Sequence, residues 1–150
     1  MKLRPATLDD VRVLAAAAAA QPLMQRYGTG AEALERGLRQ AVDAGDGVVV
    51  ADDDGPVGFA WYQLTTGLGI GGYLKLIALA PGSEGRGVGG TLLDEVERAV
   101  RVEKKHLFLL VSQFNSAAQR FYERRGFERV GQLERLVHPD IDELLYIKRL

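Results

Sequence analysis

A glycine-rich segment gives the strongest chemical signal in the chain. Residues 84–90 are Glu-Gly-Arg-Gly-Val-Gly-Gly, and an amphipathic stretch follows them. Glycine allows positive φ angles and lets the backbone approach a ligand closely. The first N–H groups of a helix lack internal partners, and the helix dipole favours an anion at that end. The segment therefore predicts a site for a phosphate-bearing cofactor, with the Arg86 guanidinium beside it.

Known phosphate-binding turns differ in the residues around their glycines. A P-loop requires Lys before its Ser or Thr, but here Gly90 stands directly before Thr91. Gly85, Gly87 and Gly90 do match the dinucleotide pattern G-x-G-x-x-G. That pattern expects an acidic residue about 20 positions further on, at the end of the next strand. Residues 111–113 are Val-Ser-Gln. A nucleotide-dependent oxidoreductase and a plain loop without a ligand remain as alternatives.

The elements that must position this turn follow from hydrophobic periodicity. Thr7 with Asp10, and Thr29 with Glu32, have capping-box spacing and predict two helix starts. Gly126 is predicted to end a later helix in the left-handed conformation. The sequence predicts a mixed α/β fold in one domain over residues 1–150. Its expected elements are a strand at 2–5, two helices between 7 and 45, strands at 47–52, 57–65 and 73–80, a helix after 90, a strand at 106–111, a helix at 115–125, and strands at 127–137 and 144–150.

A second segment follows the apolar strand predicted at 106–111. It begins with Asn115 and continues to Phe-Tyr-Glu at 121–123 and Gly-Phe at 126–127. Together with residues 84–90, it resembles the two cofactor motifs of the GNAT family of N-acetyltransferases. The first family motif is Gln or Arg, two residues, Gly, one residue, and Gly or Ala. Gly87 and Gly89 match its glycines, whereas Glu84 departs from its leading position.

The resemblance covers nearly the whole chain and implies both a fold and a cofactor. The implied fold is a central, mostly antiparallel sheet with a splayed parallel strand pair, flanked by helices. The implied cosubstrate is acetyl-CoA, with its pantetheine arm between strand 76–79 and strand 106–111. We expect Glu84 to turn outward, because a pyrophosphate would repel its carboxylate. The cofactor-binding residues implied by the resemblance are Ile77, Ala78, Leu79, Gly85, Arg86, Gly87, Val88, Gly89, Gly90, Asn115, Ala118 and Tyr122.

The implied reaction moves an acetyl group to a primary amine of a small molecule or peptide by direct attack in a ternary complex. By the resemblance, Tyr122 is the catalytic acid that protonates the departing thiolate. The alternative is that Tyr122 only packs beneath the cofactor. No general base is identified. Asp142 and Glu143 are possible bases, but we expect them on a solvated turn, and we expect His138 in a loop.

Tyr27, Trp61 and Tyr73 are predicted walls of the acceptor pocket. Aromatic residues on strands are often core residues, so a packing role is the alternative for each. A catalytically silent module that binds acetyl-CoA is a further alternative for the whole chain.

Composition argues against a metal site, a nucleic-acid partner and a membrane location. The 150 residues contain no Cys, and the two His are far apart, so we expect no metal site. The net charge of −1 argues against a nucleic-acid partner. The alanine run at 15–20 is too short to span a membrane, and the N-terminus lacks a signal-peptide pattern, so a cytoplasmic location is expected. A homodimer through the apolar stretch 144–147 is a possibility, although core burial explains that stretch equally well.

Overall fold

Seven strands and five helices make up the structure, a computed structural model that describes residues 1–66 and 68–150. The order agrees with the predicted one, except that a short helix, α2, lies between the two predicted N-terminal helices. No helix in these ranges is long and apolar enough to cross a membrane. The elements are β1 (Lys2–Pro5), α1 (Val11–Ala19), α2 (Pro22–Tyr27), α3 (Ala31–Ala44), β2 (Gly47–Asp52), β3 (Pro56–Gln63), β4 (Gly72–Leu79), α4 (Val88–Arg101), β5 (His106–Ser112), α5 (Ser116–Arg124), β6 (Glu128–His138) and β7 (Ile141–Arg149).

The strands form one mixed sheet in the order β1-β2-β3-β4-β5-β7-β6. β4 and β5 are parallel, and the other neighbouring strands are antiparallel. A parallel pair needs a crossover connection, which α4 supplies. The predicted fold class is therefore confirmed: a mostly antiparallel sheet with one parallel pair, flanked by helices.

The parallel pair separates soon after it begins. Residues 72–74 of β4 pair with residues 107–109 of β5, and the described residues beyond them do not pair. At the same place the β3–β4 register shifts, because Leu74 lies opposite Tyr62 while Leu76 lies opposite Trp61. Lys75 is thus the extra residue of a β-bulge, and a bulge bends its strand. This bend accounts for the departure of β4 from β5, which opens a gap between the two strands.

Helices cover both faces of the sheet, and each face has its own apolar core. On one face, α1 and α3 bury Leu14 and Leu38 against Phe59. On the other face, α4 buries Leu92 and Val96, which its helical spacing puts on the side toward the sheet. Each fully buried side chain of this size contributes about 1.5–3 kcal/mol. The second core also includes the inner side of α5, so it holds α4 and α5 in fixed positions beside the β4–β5 gap.

Left-handed glycines follow both α3 and α5. Gly45 follows α3 and has a φ of 75°. Arg125 is the C-cap of α5, and Gly126, which comes next, has a φ of 86°. Only Gly relieves the steric cost of this left-handed conformation fully. The predicted left-handed end of the α5 segment at Gly126 is confirmed.

The predicted helix starts hold only in part. The N–H and Oγ1 of Thr7 both donate to Asp10 Oδ2, at 2.8 and 2.9 Å, but α1 begins only after Asp10. The prediction of Thr29 as a cap is wrong, because Gly30 is the N-cap of α3. Helix α2, which was not predicted, explains why α3 is capped by Gly30 rather than Thr29. It ends at Gly28 in a left-handed conformation, which sets the direction from which the chain enters α3.

The apolar stretch 144–147 lies inside the sheet rather than at an edge. It belongs to β7, which pairs with β5 on one side and β6 on the other. Leu144 and Tyr146 are each 1% exposed. Core burial therefore accounts for the hydrophobicity of this stretch. Because β7 is paired on both sides, the stretch offers no free strand edge to a second copy. A homodimer stays a prediction without an assigned surface.

Candidate active site

The gap between β4 and β5 forms a narrow cavity of about 110 Å³. Side chains from four elements line it, including three of the predicted cofactor residues on the α5 segment and one on β4. The lining residues are Leu23 of α2, Leu74, Lys75, Leu76 and Ile77 of β4, Leu109, Leu110, Val111 and Ser112 of β5, and Asn115, Ala118 and Tyr122 at α5.

The backbone of β4 offers hydrogen-bonding groups to this gap. Leu79 O accepts from Gln21 Nε2 at 2.7 Å rather than from β3, so this carbonyl points away from β3. The N–H and C=O groups of alternate residues lie on the same edge of a strand. Those of Ile77 therefore face the gap, while Ala78 O lies on the β3 side, near Gly58. Ile77 offers a ligand unpaired backbone groups, whereas Gln21 already occupies the carbonyl of Leu79.

The glycine turn leads from β4 into α4. Gly85 and Gly87 have φ angles of 72° and 80°, and α4 begins at Val88 with Gly87 as its N-cap. A Cβ on either glycine would meet nothing within 4 Å, so conformation rather than crowding requires glycine here. The first intrahelical bond runs from Thr91 N to Gly87 O. The N–H groups of residues 88–90 therefore have no intrahelical partner, which is the arrangement that an anion site at this position would use.

Glu84 is exposed and has a partner within its own turn. The N–H of Gly82 donates to Glu84 Oε2 at 2.9 Å. Gly82 itself has a φ of 82°, so the chain turns sharply at this point. The carboxylate thus helps to close the turn that precedes α4.

Two arginines lie beside the start of α4. Arg86 Nη2 is 3.2 Å from Asp53 Oδ2, on the β2–β3 hairpin. Arg125 donates from Nη2 to Gly90 O at 3.2 Å and also contacts the Asp94 carboxylate. Surface ion pairs of this kind contribute about 0–1 kcal/mol, so an anionic ligand can recruit either guanidinium at little cost. Arg86 is predictable from its place in the glycine turn, whereas Arg125 is not, because packing alone brings it to α4.

Side-chain hydrogen bonds fix the start of α5. Asn115 Oδ1 accepts from the N–H of Ala118 at 3.2 Å and caps the helix. Gln119 Nε2 donates to the carbonyls of Ser112 and Gln113, at 3.3 and 2.9 Å. Since Asn115 also lines the gap, its amide group supplies N–H donors for a ligand carbonyl.

Tyr122 lies among aromatic rings at the gap. Its ring centroid is 5.1 Å from that of Phe121 and 5.5 Å from that of Phe127. Burial raises the pKa of Tyr122 above its usual value of 10, and the nearby Tyr73 raises that pKa further. The phenol therefore stays protonated at neutral pH and is able to donate. The aromatic contacts alone suit a packing role equally well.

Three side chains from separate elements meet beside the gap: Tyr27 of α2, Ser112 of β5 and Glu143 of β7. Tyr27 Oη lies 2.6 Å from Ser112 Oγ and donates to Glu143 Oε1. Because a phenol has one proton, Ser112 is the donor in the first of these bonds. Ser112 and Glu143 are directly opposite in the β5–β7 register. Since Ser112 also lines the gap, this cluster borders it.

The expectation that Glu143 lies on a solvated turn is wrong. Glu143 is 4% exposed, because β7 begins at Ile141 and carries Glu143 within the sheet. Burial raises the pKa of Glu143 above its usual 4.5, and the hydrogen bond from Tyr27 acts in the opposite direction. Burial and the hydrogen bond to Glu143 raise the pKa of Tyr27 to about 12. Asp142, by contrast, lies near the surface, where Gln132 Nε2 donates to its carboxylate at 2.9 Å.

The predicted acceptor-pocket walls are not all together. Tyr73 is half-buried, and its pKa is raised by burial and then by the charge of Glu143, so it lies near the Tyr27 cluster. Trp61 is 7% exposed and packs on Gly37 of α3, and its Nε1 donates to Asp46 Oδ2 at 3.4 Å. These are the contacts of a core residue, and they account for Trp61 without a ligand.

Comparison with known proteins identifies the family. A family model described as "Acetyltransferase (GNAT) domain" matches residues 43–129. The match spans more than half of the chain and includes both the glycine turn and the segment from Asn115 to Phe127. The chain belongs to the GNAT family. Membership of this acetyltransferase family removes the oxidoreductase alternative.

Several solved structures share this fold over nearly the full length of the chain. Ribosomal-protein-alanine N-acetyltransferase from Brucella melitensis is 23% identical, with 100% of each chain covered and a TM-score of 0.78. A GNAT acetyltransferase from Bacillus cereus is 19% identical, covers 99% of this chain and 96% of its own, and has a TM-score of 0.78. A chain of the NatC complex bound to Gag peptide and CoA is 19% identical, with 99% and 98% covered and a TM-score of 0.73. At these identities the likeness establishes the fold.

Proposed function

We propose that this GNAT protein transfers the acetyl group of acetyl-CoA to a primary amine of a small molecule or peptide, by direct attack while both substrates are bound. The observation that carries the proposal is the gap between β4 and β5. It has the unpaired backbone of Ile77 on one wall and Tyr122 on another. The glycine turn and the start of α4 continue from the same strand.

The residues of the site fit acetyl-CoA in charge and in shape. The free N–H groups at the first turn of α4 suit a pyrophosphate. The guanidinium groups of Arg86 and Arg125 lie beside them in weak surface ion pairs. An extended arm with amide groups suits the backbone edge at Ile77, because it is able to add main-chain hydrogen bonds as a further strand would. A cavity of about 110 Å³ suits a single narrow chain.

When bound, acetyl-CoA supplies an activated acetyl thioester. The chain contributes donors for the charges that develop during transfer. The N–H of Ile77 is our candidate donor to the oxyanion, since preorganised backbone donors are effective in this role. Tyr122 is our candidate acid toward the leaving sulfur, and its raised pKa keeps the proton in place until the C–S bond breaks.

The acceptor is proposed only as a class. Among the similar structures, the Brucella protein is a ribosomal-protein-alanine N-acetyltransferase, and the NatC complex is bound to Gag peptide and CoA. We extend to this chain the shared chemistry of a primary amine, carried by either a small molecule or a peptide.

An acceptor panel tests the proposal. Purified protein is incubated with acetyl-CoA and with amino acids, polyamines, aminoglycosides or peptides, and free thiol is measured. We expect thiol release above the rate without amine for at least one class. Binding of acetyl-CoA without release for any amine would instead support a catalytically silent module. Absence of acetyl-CoA binding would contradict the proposed site itself.

A further inference from the structure

We infer that Glu143, with Tyr27 and Ser112, forms the site that binds the acceptor ammonium group and takes its proton. The inference rests on the proposed function and names the acceptor side of the same reaction. It comes from one juxtaposition: a buried carboxylate on β7 meets two hydroxyl groups, one of which lines the β4–β5 gap.

Glu143 is a buried carboxylate without a counter-ion among the residues that the structure describes. Within residues 1–66 and 68–150, no Lys or Arg nitrogen lies within 4.0 Å of its oxygens. Glu97, the other buried glutamate, is paired with Lys148 at 2.7 Å. Removing a carboxylate from water costs several kcal/mol unless charge or hydrogen bonds compensate. An ammonium ligand supplies the positive charge that the described residues do not provide.

One oxygen of Glu143 remains available to such a ligand. Tyr27 donates to Oε1, and the described side chains and backbone donate nothing to Oε2. Among residues 1–66 and 68–150, every fully buried side-chain N or O atom has a hydrogen-bond partner. Because Oε2 has no such partner, it is not fully buried, and it is able to accept a hydrogen bond from the N–H group of a ligand.

The cluster lies where an acceptor would meet the gap. Leu23 and Tyr27 are four residues apart on α2, so they lie on the same side of this helix. Leu23 lines the gap, and Tyr27 holds Glu143. Ser112 belongs to both, since it lines the gap and bonds to Tyr27. An amine held at Glu143 thus borders the cavity assigned to the thioester.

Several ionisable groups lie near Glu143 or near its partner Tyr27. Tyr27 and Arg26 come from α2, and Arg26 stacks on the Phe114 ring at 3.7 Å. Tyr73 comes from β4, and its pKa is raised partly by the charge of Glu143. His138, at the end of β6, lies edge-on to Tyr27 with ring centroids 6.1 Å apart. Burial raises the pKa of Glu143 and outweighs the hydrogen bond from Tyr27, which makes its carboxylate a stronger base than a solvated one.

The proton inventory balances with Glu143 as acceptor. An ammonium ion and a thioester give an amide, a thiol and one free proton. Glu143 takes the first proton, and the neutral nitrogen then attacks the acetyl carbon. The C–N bond forms, the C–S bond breaks, and the electron pair goes to sulfur. Sulfur is protonated from Tyr122, which regains a proton from the nitrogen through solvent. Glu143 finally releases its proton to water.

Two substitutions separate proton transfer from packing. Glu143→Gln keeps the volume and an oxygen for Tyr27 but does not accept the proton, so we expect kcat to fall about 10²–10⁴-fold, with CoA affinity unchanged. Tyr27→Phe keeps the carboxylate and removes the hydrogen bond that lowers its pKa, so the acid limb of kcat/KM should move to higher pH. Glu128→Gln, exposed on β6, is the matched control and should leave the rate unchanged. A merely structural Glu143 would lower Tm without altering kcat or the pH profile.

A binding measurement reads the site without acetyl-CoA. The carboxyl carbon of Glu143 is followed by ¹³C NMR in free protein, with methylammonium chloride or with tetramethylammonium chloride, which has no N–H donor. We expect methylammonium to shift this resonance and lower its apparent pKa, and tetramethylammonium to do so far less. If the wild type transfers acetyl groups but Glu143 responds to neither salt, or equally to both, the inference is overturned and the proposed function stands. If Glu143 responds as expected but no amine is acetylated, the amine site stands and the proposed function fails.

Discussion

Asn115 Oδ1 accepts a hydrogen bond from the backbone N–H of Ala118 at 3.2 Å, so one side chain both begins α5 and lines the β4–β5 gap. Two substitutions separate these tasks. Asn115→Ala removes the cap and the amide donors, so we expect a loss of about 1 kcal/mol in unfolding free energy together with weaker CoA binding. Asn115→Asp keeps a capping oxygen and loses the amide N–H groups. It should retain stability but not CoA affinity, as chemical denaturation and calorimetry will report. Equal CoA affinity in wild type and Asn115→Asp would remove the proposed ligand contact.

Tyr122→Phe tests the acid role with little change in packing. The phenyl ring preserves the contacts with Phe121 and Phe127, while the proton donor is lost. We expect kcat to fall about 10²-fold or more, with an unchanged CoA dissociation constant. Steady-state kinetics beside calorimetry measure both quantities. An intact kcat would leave Tyr122 with packing alone.

Glu84→Gln tests how the glycine turn binds its anion. The carboxylate accepts from Gly82 N–H, and the Gln carbonyl is able to do the same, so the turn should persist. Because a negative charge near the pyrophosphate is lost, we expect the CoA dissociation constant to stay the same or fall. Calorimetric titration at two salt concentrations measures this change. A large loss of affinity would mean that the carboxylate contacts the ligand favourably.

Gly87→Ala and Gly89→Ala form a matched pair at the start of α4. Gly87 has a φ of 80°, so Ala there should cost about 1–2 kcal/mol of stability. Gly89 lies inside the helix, and a Cβ there meets only Phe121, at 3.9 Å, so Ala should not reduce stability. Thermal and chemical denaturation compare the two variants. Equal stability losses would contradict this account of the turn.

The Arg4–Asp10 pair predicts a pH-dependent contribution to stability. Arg4 hydrogen-bonds to Asp10 at 2.7 and 2.8 Å and lowers the pKa of Asp10 from 3.8 to about 2. A lowered folded-state pKa stabilises the fold above the unfolded value, and this stability is lost as pH falls from about 4 toward 2. Since Arg4 is partly exposed, we expect Asp10→Asn to cost about 1 kcal/mol at pH 7.

Unfolding free energies of wild type and Asp10→Asn, measured from pH 7 down to pH 3, check this. The difference should shrink below pH 4. A difference that stays constant with pH would assign the effect to packing rather than to the charge of Asp10.

The sequence predicted the fold well because its signals are local or periodic. The buried spacing of α4, the β2 run at 47–52 and the left-handed Gly126 each depend on neighbours within a few residues. The glycine turn was found for the same reason. Helix α2 was not predicted, because six residues that begin with a proline give too short a pattern to separate from a loop.

The acceptor side was not predictable in the same way. Tyr27 lies 85 residues from Ser112 and 116 residues from Glu143 in the chain, and only the folded structure brings the three side chains within hydrogen-bond distance. The start of β7 decided the outcome for Glu143, since a strand beginning at 144 would have left it in a turn. The bulge at Lys75 is likewise not predictable from the sequence, although that bulge accounts for the gap between β4 and β5.

The mass of the acceptor after incubation with ¹³C-acetyl-labelled acetyl-CoA tests the central claim most directly. We expect the wild type to add one labelled acetyl group to an amine nitrogen of the acceptor found in the panel, and Tyr122→Phe and Glu143→Gln to do so far more slowly. Protein that binds CoA in this gap but leaves every amine in the panel unlabelled would contradict the account.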